Sequence, residues 1–283
     1  MRRRNSSWRK RFLPSALPLP RGPRPRKESG CSLHSTGPVA IIPARGGSKR
    51  LPGKNLRPFF GHPMMAYGIS AAVNSGLFQN VIVSSDDPEI GRVAQWYGAE
   101  FIERPPELAT DKAKSIDAVT HVLRTLSDRG ILPESLCQVF PNCPLVTSTD
   151  VAEHGRLFHE ASRSFQISVV TYRCVYPEWA MVADAEGQGR WALGKEFLGQ
   201  SQDCARTFCP TGAVWWARCT ELSAQNTFYG SPFHLAEMDA NRGVDIDDEE
   251  DLRLSELLVL GLKARDGRSP LEMPAMDSYF NRG

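Results

Sequence analysis

Four cations, Arg45, Lys49, Arg50 and Lys54, fall within ten positions of one another in the stretch Val39-Ala-Ile-Ile-Pro-Ala-Arg-Gly-Gly-Ser-Lys-Arg-Leu-Pro-Gly-Lys-Asn55. Gly46 and Gly47 let backbone N–H groups approach a bound group closely, and the cations neutralise charge that water would otherwise screen. A polyanion, phosphate above all, is the ligand such a loop suits. A solvated basic loop is the simpler alternative. Its spacing by Gly, Ser and Pro directly after an apolar run argues against that alternative.

Far along the chain, Gly243-Val-Asp245-Ile-Asp247 places two acids on one face of an extended segment, because strand side chains alternate. Helix N-terminal capping accounts for Asp248 to Asp251 but not for Asp245 and Asp247. Paired carboxylates without nearby Lys or Arg prefer a hard cation such as Mg²⁺, with phosphate completing the coordination sphere. Two common phosphate loops are excluded. Counting a GxxxxGK motif from Gly47 puts Pro52 where the second glycine belongs, and residues 46 to 51 lack the three glycines of GxGxxG.

The elements that must position these residues alternate. Val39 to Ile42 has the length and flanks of a buried strand, and Gly61-His62-Pro63 reads as a turn before Met64, Met65, Ile69, Ala72 and Val73 at helical spacing. Val81 to Val83 is a strand, Ser84-Ser-Asp-Asp87 caps a helix from about Pro88 to Tyr97, and Gly98 ends it before a strand at Glu100 to Ile102. This rhythm predicts an α/β fold with a doubly wound, mostly parallel sheet, whose ligands bind at the carboxyl ends of the strands, where the Arg45 loop and Asp86 fall.

Beyond it lie a loop from Arg104 to Ser115, a helix carrying Ile116, Val119, Val122, Leu123 and Leu126, and a strand from Leu136 to Phe140. A helix from Ser148 to Ser162, strands at Gln166 to Tyr172 and Thr211 to Trp216, and a last helix with Leu252, Leu254, Leu257 and Leu258 as a core stripe complete the reading. Trp215 and Trp216 read as packing residues. The Gly-rich stretch 173–208 reads as an excursion from the sheet or an oligomer contact.

Composition sets outer limits. The chain has 283 residues, enough for one large domain, and its 41% hydrophobic and 23% charged content is ordinary for a soluble globular protein. No apolar run approaches membrane-spanning length, so no membrane partner is expected. Residues 1–27 hold eight Arg, two Lys and no acid, which leaves 24 basic against 32 acidic residues in the remainder, a net of about −8. An acidic body with its cations gathered at one loop disfavours nucleic acid as a partner. Seven cysteines without CxxC spacing suggest neither a disulfide framework nor a zinc site, and the cytoplasm fits best.

The expected organisation is a basic, disordered tail at 1–37, a catalytic domain at 38–265 and a C-terminal tail at 266–283. The basic tail is open to four readings: an organelle transit peptide, a nuclear signal, an RNA-contacting arm, or a start codon assigned too early.

Six segments carry a resemblance in chain order. Ile42-Pro-Ala-Arg-Gly-Gly-Ser-Lys with Leu51-Pro-Gly-Lys-Asn-Leu, Ser84-Ser-Asp-Asp, Arg104-Pro-Pro-Glu-Leu, Pro141-Asn-Cys-Pro-Leu, Thr211-Gly-Ala and Asp245-Ile-Asp-Asp-Glu-Glu-Asp-Leu resemble the acylneuraminate cytidylyltransferases, the CMP-sialic acid synthetases and their pseudaminic-acid relatives. The resemblance implies a Rossmann-like nucleotidyltransferase in which a nonulosonic, sialic-acid-like sugar acid attacks the α-phosphorus of CTP, yielding CMP-sugar and pyrophosphate. It implies that Arg45, Gly47, Ser48, Lys49 and Lys54 hold the triphosphate, with Arg45 and Lys54 carrying the catalysis. Asn55 would lie beside the nucleotide, Arg104 would meet the cytosine, and Ser115 would line the pocket. Asp245 and Asp247 would bind Mg²⁺. It also implies a homodimer, with 173–208 reaching toward the neighbouring subunit's site.

The chemistry agrees, since attack at phosphorus needs charge neutralisation and in-line positioning more than a covalent nucleophile. The chain departs from the sialic-acid pattern at Phe140, where many members have Gln, and at Pro141-Asn-Cys-Pro144. Phe140 and Ser201-Gln-Asp203 resemble the pseudaminic branch, whereas Gln200 and Cys209 stand where Arg is expected. Losing a cation from a sugar-carboxylate contact costs roughly 1.5–3 kcal/mol unless Arg206 or Arg173 replaces it. A nucleotidyltransferase for another sugar acid or sugar phosphate, and a relative that binds nucleotide without turnover, are the alternatives.

Overall fold

A computed structural model describes residues 35–172, 176–194 and 199–272. Seven strands form the central sheet: β1 (Val39–Pro43), β2 (Asn80–Ser85), β3 (Glu100–Glu103), β4 (Ser135–Val139), β5 (Phe165–Thr171), β6 (Phe208–Arg218) and β7 (Phe233–Glu237). Their spatial order is β3-β2-β1-β4-β6-β5-β7. β6 runs antiparallel to both β4 and β5, and every other pairing is parallel. This is the mostly parallel α/β sheet that the sequence predicts.

Strand alternation divides the core between the two faces. Ala40 and Ile42 of β1 join one cluster with α1 (Met64–Asn74), α2 (Pro88–Trp96) and α4 (Ser148–Glu160), while Val39 and Ile41 join another with α3 (Ser115–Asp128). Trp216 is fully buried and stacks between Phe78 and Phe158, and Trp215 meets Phe140, Phe228 and Tyr229 edge-on, so both tryptophans pack. A third cluster, with Leu51, Leu145, Ile246 and Leu252, lies under the cation loop and the acidic segment and fixes them against each other.

Two local expectations are corrected. The turn sits one residue earlier than Gly61-His62-Pro63: Phe60 and Gly61 take positive φ, and His62–Pro63 pairs with Pro58–Phe59 as a small hairpin. In the last two helices, α5 (Cys219–Gln225) and α6 (Glu249–Asp266), the leucine pattern misleads in α6. Leu252, Ser255 and Val259 are its buried face, while Leu254 and Leu257 are 62% and 66% exposed. At about 100° per residue, positions 252, 255 and 259 share one side, and 254 and 257 point the other way.

Within the 173–208 stretch, residues 176–194 lie apart from the central sheet. They form a two-stranded hairpin, Met181–Ala183 with Gly189–Trp191, and expose Trp179, Met181, Val182 and Leu193. Residues 1–34, Arg173 and 273–283 lie outside the described residues, and with them most of the basic tail and most of the C-terminal tail; at the end of the expected 1–37 tail, Ser35–Thr36 pairs in parallel with Leu132–Pro133.

Candidate functional site

The cation loop leaves β1 at its carboxyl end. The Ala44 N–H donates to the Ser84 carbonyl (2.9 Å) and the Gly46 N–H to Asp86 Oδ1 (2.9 Å), which fastens the loop to the end of β2. A Cβ on Gly46 would stand 2.9 Å from Asp87 Cβ. The glycine therefore serves this close approach to β2, a correction to the reading that its N–H is free for phosphate. Leu51 is fully buried and Gly53 takes φ 69° before the short turn Lys54–Leu56. Asn55 Nδ2 then donates to the Arg45 carbonyl at 2.9 Å, closing the loop on itself.

Across a cleft stands the second wall. Arg104, at the end of β3, is buried; its Nε donates to Ser84 Oγ (3.2 Å) and its Nη2 to the Ser84 carbonyl (2.5 Å). Burial lowers its pKa to about 10, with Asp86 opposing and Arg45 adding to the effect, so it keeps its charge at neutral pH. From Arg104 the chain runs over Leu108, Thr110 and Ala113 to Ser115, the first residue of α3, which lines the same space. Arg45, Lys54, Asn55, Arg104 and Ser115 line one cleft, with Phe140, Pro141 and Asn142 as its third side. The cleft's volume is about 150 Å³, enough for part of a nucleoside triphosphate, with the remainder lying along the open loop. The Oδ1 of Asn55 is buried without a partner, an acceptor held ready beside the cleft.

The acidic segment lies against the loop. Ile246 is fully buried, so Asp245 and Asp247 face the other way, as strand-like alternation requires. Asn142 fixes the segment: its Nδ2 donates to Asp245 Oδ1 and to the Ile246 carbonyl (3.1 Å), and the Ile246 N–H returns a bond to the Asn142 carbonyl (3.0 Å). Gly212, from the Thr211-Gly-Ala motif on β6, makes room; a Cβ there would stand 3.2 Å from both Asp245 Oδ2 and Phe140 Cγ.

Asp247 is not without cations, contrary to the expectation from sequence. Lys54 Nζ lies 2.8 Å from its Oδ1 and Arg50 Nη2 2.5 Å from its Oδ2, contacts that span 193 and 197 positions of the chain. Burial works to raise the Asp247 pKa, but these two cations outweigh it and hold the carboxyl below its usual range. Asp245 behaves oppositely. It keeps an open side to solvent while protein packs around the rest of it, and that packing, reinforced by the Asp247 charge, raises its pKa to about 6.

A divalent cation suits this pair. Asp245 is a crowded carboxylate beside a like charge, the situation that a bound metal relieves. Among the described residues no three His, Cys, Asp or Glu side chains gather as a protein-only metal cage, so two carboxylates plus phosphate oxygens is the set that fits.

Not every residue named from sequence faces the cleft. Lys49 is 81% exposed at the mouth, and Gly47 and Ser48 lie on the outer side of the loop, outside the cleft lining. Of the residues expected from sequence to bear on a sugar, Gln200 is exposed and Cys209 half-buried, and Arg206 pairs with Glu237 at 2.5 Å while lying 5.1 Å over the Phe208 ring. Sequence reasoning missed Asn142, Ser84 and Asp111. The first two sit in motifs it singled out. Asp111 stands in a stretch read only as a loop, and its carboxylate meets Arg45 (2.9 Å) and Lys49 (2.5 Å).

Comparison with known proteins adds a separate finding. A family model described as Cytidylyltransferase matches residues 39–173. The pseudaminic acid cytidylyltransferase of Campylobacter jejuni subsp. jejuni serotype O:23/36 is 30% identical over 223 residues, 78% of this chain and 95% of that protein. The N-acylneuraminate cytidylyltransferase of Escherichia coli O18:K1:H7 is 32% identical over 217 residues, 77% of this chain; the match spans 51% of that longer relative. The solved structure of CMP:2-keto-3-deoxy-manno-octonic acid synthetase complexed with CTP superposes with a TM-score of 0.60 at 18% identity, over 80% of this chain and 99% of that one, which establishes the shared fold.

Proposed function

This chain belongs to the acylneuraminate and pseudaminic acid cytidylyltransferase family, and from that premise we propose that it transfers a cytidylyl group from CTP to a nonulosonic acid, releasing pyrophosphate. The observation that carries this reading is the convergence of Arg45, Lys54, Asn55, Arg104 and Ser115 on one cleft beside Asp245 and Asp247, from three separate stretches of sequence, 45–55, 104–115 and 245–247.

In this mechanism Arg45 and Lys54 hold phosphate oxygens and neutralise the charge that develops on the departing pyrophosphate. Lys49 and Ser48 serve the outer phosphates along the open loop, with Gly47 allowing close approach of the backbone. Arg104, locked by Ser84, presents its remaining donors to the base, and the unpartnered Asn55 Oδ1 accepts from the nucleoside. Ser115 and the first turn of α3 line the nucleotide. Asp245 and Asp247 would hold Mg²⁺, which when bound supplies charge neutralisation to the triphosphate. Asn142 and Gly212 keep Asp245 at its place.

Phe140 gives the sugar side an aromatic wall braced by Trp215 at 5.3 Å. That wall supports a pseudaminic-type substrate over one gripped by the cations missing at Gln200 and Cys209. The exposed apolar residues of the 176–194 hairpin support a homodimer, and the five free cysteines among the described residues support a reducing, cytoplasmic setting. Incubation with CTP, Mg²⁺ and a panel of nonulosonic acids, read as pyrophosphate release, tests the proposal. Release with none of them refutes it.

A further inference from the structure

Each cation of the loop is already matched to an acid, and the matching has a pattern. Asp247 sets one carboxylate oxygen on Lys54 and the other on Arg50; Asp111 sets Oδ1 on Arg45 (2.9 Å) and Oδ2 on Lys49 (2.5 Å). Two oxygens, each on its own cation, is how a bridging phosphate would sit there. Asp247 has a second role as a metal ligand in the reading above. Asp111 has none. It comes from the opposite wall: its loop contributes Leu108, Thr110, Ala113 and Lys114 to the cleft lining, so the Asp111 contacts strap the two walls together across the mouth.

The strap is built to yield. Asp111 is exposed, and Lys49 more so, and ion pairs of this kind are individually weak and screened by salt. A polyphosphate brings several charges to the same cations and displaces a single carboxylate. The short turns at Pro106–Leu108 and Thr110–Ala113 give the loop local bonds of its own, so it need not unfold when the contact breaks.

We propose that Asp111 is an internal competitor for the triphosphate site, which occupies Arg45 and Lys49 in the free protein, yields to the phosphates of the incoming nucleotide, and returns as pyrophosphate leaves. This rests on the reading of the loop as a triphosphate cradle. It makes Asp111 a residue whose removal strengthens binding, the opposite sign from a residue that orients the cations.

The test is titration calorimetry on the full chain with Mg²⁺, using CTP and, separately, inorganic pyrophosphate. Asp111→Asn should bind both roughly two- to tenfold more tightly than wild type at low salt, with the gain shrinking as salt rises. Asp111→Glu, which keeps the charge, should stay near wild type. Glu107→Gln, on the same loop, controls for the general field of the acidic body. Equal or weaker binding by Asp111→Asn, or an equal gain from Glu107→Gln, overturns the competitor role while leaving the cradle intact. If wild type binds neither ligand, the cradle itself falls, and this proposal with it.

Discussion

Replacing Lys54 with alanine isolates the contribution of the loop to nucleotide binding. Its side chain is only 15% exposed and its ammonium lies 2.8 Å from Asp247, so it is held in place before any ligand arrives. A charge-assisted contact from such a preordered, half-desolvated cation to phosphate is worth about 2–4 kcal/mol, or roughly 30- to 900-fold in the Kd for CTP. The fold should survive, because Asp247 keeps Arg50 at 2.5 Å and partly exposed pairs add little to stability, about 1 kcal/mol at most. Titration calorimetry with CTP and Mg²⁺, beside a thermal melt, separates the two effects. A Lys54→Ala protein that melts near wild type and binds CTP within threefold of it would refute the placement of phosphate on this loop.

Further expectations follow from the same geometry. Because the Asp245 pKa is raised to about 6, the folded protein binds its proton more tightly than the unfolded chain, and the charge that forms above that pH opposes folding. Mg²⁺ needs the ionised carboxylate, so its stabilising shift in Tm should be clear at pH 7.5 and fade as pH falls through 6; an equal shift at pH 5 would place the ion elsewhere. Arg104→Lys loses the fork onto Ser84, and the preference for CTP over UTP should fall about 10-fold or more in competition binding. Asn142→Ala removes a buried donor shared by Asp245 and the Ile246 carbonyl; a loss of about 1–3 kcal/mol, seen in denaturant titration, should accompany weaker Mg²⁺ binding.

Legibility in the sequence followed the range of the interactions. Period-two and period-3.6 patterns are local, so the strands around Val39, Val81 and Leu136 and the helices between them could be read directly, and their parallel order followed from the alternation. The pairing of Lys54 with Asp247 spans 193 positions and of Arg45 with Asp111 spans 66, and no period or spacing announces either. Hence Asp247 looked like an unpaired metal ligand and Asp111 like a surface residue. Gly46 was legible as special, but the cause lay in Asp87 forty-one positions away. The α6 stripe failed for a different reason: leucine occurs on both sides of that helix, and Ser255 and Val259 mark the buried one. At the positions expected to meet the sugar, Cys209 and Gln200 mark a change of chemistry legible in sequence, whereas the pairing of Arg206 with Glu237, 31 positions away, is not.

The most direct test of the central claim is ³¹P NMR of the full chain with CTP, Mg²⁺ and a nonulosonic acid, pseudaminic acid first. The cleft predicts loss of the three CTP resonances with equal gain of one phosphodiester and pyrophosphate. Unchanged CTP across the sugar panel, or its conversion to orthophosphate with no phosphodiester formed, would contradict it.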